Sequence, residues 1–109
     1  MEEFAQSILL LSKLCSTVRM TSSGAISAKP CYVFFVGACP DDGAALYEGA
    51  VHNGETSNGD ILIDIEAQYG QRQYIGDFPI YFNKGIYVAL TTNLKSITIQ
   101  YLEDVGHLK

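Results

Sequence analysis

The stretch 84–102, KGIYVALTTNLKSITIQYL, decides the fold class. Ile86, Val88 and Leu90 alternate with Tyr87, Ala89 and Thr91. After Thr92 and Asn93 the alternation resumes, with Ile97, Ile99 and Tyr101 set against Ser96, Thr98 and Gln100. Two period-two runs joined by a short turn predict a β-hairpin with one buried face.

The chain upstream reads as further strands. Residues 14–21 (LCSTVRMT) are rich in β-branched side chains and end at Ser22-Ser23-Gly24; residues 25–28 form a short strand before Lys29-Pro30. Residues 31–38 (CYVFFVGA) are apolar on both faces, as expected of a strand in the middle of a sandwich or under a covering element. Cys39-Pro40-Asp41-Asp42-Gly43 is a turn: proline presets φ, aspartates bond back to the backbone and glycine accepts positive φ. Strands are predicted at 44–51, at 61–67 (Ile61, Ile63 and Ile65 inward, Asp64 and Glu66 outward) and at 77–82. Between them, 52–60 (HNGETSNGD) carries two Asn-Gly dipeptides and reads as an exposed polar loop. Residues 68–76 (QYGQRQYIG) read as a crossover or loop.

About eight strands with turns every eight to twelve residues predict an all-β fold, a small jelly-roll-like antiparallel β-sandwich. At 109 residues this is one domain, spanning 14–102, with a polar tail at 103–109. Residues 1–13 (MEEFAQSILLLSK) form an N-terminal helical or extended arm. Phe4, Ile8 and Leu11 fall near helical spacing, with acids at the start and Lys13 at the end. This segment packs on its own domain or reaches a neighbouring subunit. In the second case Phe4, Ile8, Leu9, Leu10 and Leu11 supply the contact.

Composition narrows the function classes. A hydrophobic fraction of 48% against 17% charged residues predicts apolar surface buried against another chain. The net charge of −5 offers no basic stripe for nucleic acid, and the scattered Lys and Arg form no run that a membrane surface would hold. The acidic start and the four-residue apolar run 8–11 fit neither a signal peptide nor a membrane span. Cys15, Cys31 and Cys39 are odd in number, and the seven residues between the last two match no zinc spacing. Structural thiols in a reducing compartment are expected.

Candidate chemistry is sparse. His52 and His107 lie in polar segments and are expected in solvent. Asp64 and Glu66 share one strand face, where carboxylates act as an acid–base pair or cation site, or simply solvate the face. Asp41-Asp42-Gly43 and Asn58-Gly59-Asp60 lack the ligand spacing of a calcium loop. Nucleophile-elbow, phosphate-loop and metalloprotease motifs do not occur, so neither an enzyme nor a cofactor is expected. Seven tyrosines, Tyr69 and Tyr74 among them, serve strand packing, an interface or carbohydrate stacking.

The residues Gly24-Ala-Ile-Ser-Ala-Lys-Pro-Cys31-Tyr-Val, Leu46-Tyr-Glu-Gly49, Phe78-Pro-Ile80, Lys84-Gly-Ile-Tyr-Val-Ala-Leu90 and Ile97-Thr-Ile-Gln-Tyr101 carry a resemblance. Over about 14–102 they resemble small β-sandwich structural proteins of tailed bacteriophages, in rhythm and in glycine, proline and aromatic positions. The resemblance implies a capsid decoration or cement protein on the virion surface, assembled in the bacterial host cytoplasm. It further implies binding to the major capsid protein, with a homo-oligomer, dimer or trimer, expected. The alternative is a head-fibre or tail-associated module recognising a host-surface glycan or protein through Tyr69, Tyr74 and the Asn-Gly loop.

Overall fold

Alternating β-branched and aromatic residues commit the chain to strands because each buries one face while leaving the other in water. The computed structural model describes residues 15–41, 46–68, 73–75 and 79–104, with 67–68 and 73–75 given by backbone alone. Residues 1–14 and Tyr69 lie outside that set.

Nine strands fall among the described residues: β1 (Ser16–Met20), β2 (Gly24–Ser27), β3 (Cys31–Pro40), β4 (Leu46–Asn53), β5 (Asp60–Gln68), β6 (Gln73–Ile75), β7 (Ile80–Phe82), β8 (Ile86–Thr92) and β9 (Leu94–Glu103). All pair antiparallel, in two sheets. One sheet runs β1-β9-β3-β6, with β7 also on β3; the other runs β2-β8-β4-β5. The all-β expectation holds. Residues 73–75, read as part of a loop, form the short strand β6. β6 pairs Val36–Ala38 and β7 pairs Cys31–Val33, so both lie along the β3 edge that β9 leaves open.

The expected hairpin over 84–102 does not form. β8 pairs with β2 and β4, whereas β9 pairs with β1 and β3, so the chain changes sheet between them. Period-two alternation reports which face a strand buries, and two strands facing each other across a core show the same pattern as two in one sheet. Asn93 makes the crossing at φ 53, a left-handed conformation that asparagine tolerates better than most residues. Its carbonyl accepts from the Asp41 N–H at 2.8 Å. Its side-chain Nδ2 donates to the Leu46 carbonyl at 2.9 Å. One residue thus fastens the end of β3 to the start of β4 at the corner.

The core draws on both sheets. Val33, Val36, Ile97 and Ile99 from one sheet meet Tyr47, Val51, Ile63, Ile65, Ile86 and Val88 from the other. β3 is apolar on both faces because of a bulge. Val33 pairs with Tyr101 and Phe35 with Gln100, so Phe34 is an extra residue. The buried positions therefore shift from Cys31 and Val33 to Val36 and Ala38. A bulge also corrects the reading of β5. Val51 pairs with Ile63 but His52 pairs with Ile61, which leaves Leu62 extra and turns Ile61 outward, 50% exposed.

Candidate functional surfaces

β4 and β5 lie at one end of the four-stranded sheet, where β5 is the edge strand. Because Ile63 and Ile65 point into the core, Asp64 and Glu66 point away from it and are exposed. Glu48 on β4 lies directly opposite Glu66, and Ala50 opposite Asp64. The carboxylates flank a shallow depression of about 180 Å³ that Ala50, Ile61 and Thr91 also line. Beside it stand exposed apolar side chains: Ile61, Leu62 and, at the far end of β4, Leu46.

The outward face of the five-stranded sheet carries a different surface. The rings of Tyr32 and Tyr81 lie 4.9 Å apart, tilted by 36°. The Tyr81 hydroxyl donates to Asp104 Oδ2 at 3.3 Å. Partial desolvation and the Asp104 carboxylate hold that hydroxyl above its ordinary range. Further along the sheet, Arg19, Phe35, Gly37, Cys39 and Thr98 line a depression of about 280 Å³. That is at the small end of ligand pockets, which run from about 300 Å³ upward.

The Asn-Gly loop is built around a buried histidine, which corrects the expectation of a solvent-exposed one. His52 is 7% exposed, its Nδ1 donates to the Gly59 carbonyl at 2.8 Å, and its ring stands edge-on to Tyr87. Asn53 braces the loop's other flank. Its Nδ2 donates to Asn83 Oδ1 at 2.6 Å, and its Oδ1 accepts from the Lys84 N–H at 2.9 Å. The Gly54 N–H donates to the Gly85 carbonyl. These bonds order the loop and leave Glu55, Thr56, Ser57 and Asn58 at its exposed tip.

Of the three thiols, Cys31 has a structural setting. Cys31 is fully buried and its Sγ–H donates to the Lys29 carbonyl. Burial raises its pKa, aided by the Glu103 and Asp104 charges and opposed by a hydrogen bond with Ser27. Burial likewise raises Cys15. Cys15, Cys31 and Cys39 are unbridged. Among the described residues no three His, Cys, Asp or Glu side chains gather as a metal site.

Of the residues singled out from sequence for partner binding, Phe4, Ile8, Leu9, Leu11 and Tyr69 lie outside the described residues, and so does His107. Tyr74 sits on β6 opposite Gly37. Among the described residues Tyr32 stacks against Tyr81, and the exposed apolar edge at Ile61 and Leu62 was not anticipated. One signal was available for it: Asp60-Ile61-Leu62-Ile63 breaks strict alternation, so one of these apolar side chains must face out. No protein-family model matches the chain, no curated protein matches it, and no solved structure matches it.

Proposed function

We propose that the chain is a virion structural protein of a tailed bacteriophage, a decoration or cement protein that holds neighbouring major capsid protein subunits together. The observation that carries this reading is the β4–β5 surface, where the adjacent Ile61 and Leu62 are 50% and 40% exposed on a strand whose inner face is closed. An apolar surface of this kind serves contact with another protein. The strand order supports it further. With β6 and β7 counted as one interrupted strand, the two sheets run first-eighth-third-sixth and second-seventh-fourth-fifth. That order fits a jelly-roll sandwich, an architecture used in viral capsid domains among others. Fold alone assigns no function, so the weight rests on the surface.

A cement protein acts by geometry and needs no catalytic group. Many copies, each bridging two shell subunits, convert a modest interface into a large collective stabilisation. In this reading the chain is an oligomer on the capsid surface, built from a dimer or trimer and assembled in the host cytoplasm. Sedimentation of the purified protein with undecorated shells tests it. Saturable co-sedimentation at a fixed copy number is expected, and its absence overturns the proposal.

A second reading, a head-fibre or tail-associated module for a host-surface glycan or protein, draws on the Tyr32–Tyr81 pair and the depression beside Arg19. Cell-surface binding that disappears on Tyr81→Ala would favour it over the first.

A further inference from the structure

A sheet edge is a row of unpaired backbone donors and acceptors, and folded proteins blunt such edges by keeping them short, bulged or charged. Most edges in this chain follow that rule. β1 has five residues. β2 has four and a register break between Ala25 and Ser27. The β6 and β7 edge is split into two pieces of three residues each. β5 is also bulged, at Leu62, and charged, at Asp60, Asp64 and Glu66, but with nine residues it is longer than the other edges, and no described strand pairs with its outer side. Its pairing with β4 is regular from Ile63 to Gln68, so six residues form an unbroken template.

The charge on this edge has one sign. The four strands β2, β4, β5 and β8 contain Glu48, Asp60, Asp64 and Glu66 and no Lys or Arg. A second copy docking edge to edge would bring the Asp64 and Glu66 carboxylates of the two chains together, which disfavours self-pairing. A strand with Lys or Arg at alternate positions would instead lay each cation beside a carboxylate on the outward face. Its intervening apolar side chains would extend the core face beside Ile63 and Ile65.

We infer that the β5 edge is a docking site for an extended, basic segment of another protein, which adds as a fifth strand to the four-stranded sheet. Main-chain hydrogen bonds supply the attachment and the carboxylates of Glu48, Asp64 and Glu66 select the partner by charge. The inference does not require that the partner be a capsid subunit, so it stands or falls apart from the cement reading.

Amide hydrogen exchange of the full-length protein, read by NMR, tests it with two nine-residue peptides, one alternating lysine with valine and one alternating glutamate with valine. The lysine peptide should slow exchange across β5 by about tenfold or more when saturating, because a newly paired edge opens only with its partner. The glutamate peptide should leave β5 unchanged. The effect should weaken as salt rises from about 0.1 M to about 1 M, where the screening length falls from about 10 Å to about 3 Å. In the Asp64→Lys/Glu66→Lys protein the preference should invert. Equal protection by both peptides, protection located away from β5, or none with the lysine peptide overturns the inference. So does protection of β5 that grows with protein concentration without peptide, which would make a second copy the occupant.

Discussion

Gly49→Ala tests the placement of β8 and β9 in opposite sheets. A Cβ at Gly49 would lie 2.5 Å from Leu94 Cδ1 and 3.1 Å from Ile97 Cδ1, both on β9, and 2.8 Å from the Ala89 carbonyl oxygen on β8. Carbon atoms pack comfortably at about 3.5–4.0 Å, so the methyl group falls short by close to 1 Å against the opposite sheet. The Leu94 side chain can swing, whereas the Ala89 oxygen moves only with its strand. Overpacking of this kind costs about 1–3 kcal/mol, against which alanine recovers about 0.5–1 kcal/mol over glycine in a strand. A net loss of about 1–2 kcal/mol is expected, read as a lower urea midpoint at unchanged slope. Leu94→Ala alone should cost about 2 kcal/mol, the low end for a buried leucine, because Leu94 is only partly buried. Together the two should cost less than their sum by at least 0.5 kcal/mol, roughly the lower bound for residues in contact. Additivity within about 0.3 kcal/mol would refute the contact and with it the facing of β4 and β9.

Asn93→Ala should destabilise by about 1–3 kcal/mol in thermal or urea unfolding, since it loses the bond to Leu46 and leaves a left-handed φ to a residue that disfavours it. His52→Ala should free the Asn-Gly loop: exchange at the Gly59 amide and its neighbours should accelerate while the core strands keep their protection. Stability should fall with rising pH above about 9, because Cys31 and Tyr101 both hold their protons more tightly when folded than when unfolded. The folded chain then binds more protons than the unfolded one. Each group contributes a slope of at most about 1.4 kcal/mol per pH unit, lost as pH passes its raised folded value. Cys31→Ala should flatten the first part of that decline in urea titrations across pH 8–11.

Strand faces were legible in the sequence because burial is written into alternation. Ile86, Val88, Ile97 and Ile99 are all buried as their period predicts. Strand partners were not legible, because alternation carries no record of which neighbour a strand has. The 84–102 segment therefore looked like a hairpin when it is a crossing between sheets. Bulges hid the rest. The extra residues Phe34 and Leu62 invert the phase within a single strand, so β3 looked two-sided and Ile61 looked buried. His52 looked exposed by the polarity of its neighbours, yet the loop folds back so that Gly59 caps the ring. The acidic face of β5 was visible as Asp64 and Glu66. That it forms an edge depends on the order of all four strands, which no local pattern encodes.

The proposed cement role is tested most directly by amide exchange measured on the chain mixed with undecorated phage shells. Slowed exchange over Asp60–Gln68 that saturates as shells are added, with β1 and β2 unaffected, is the expected result. Exchange over Asp60–Gln68 that stays the same at every shell concentration would contradict it.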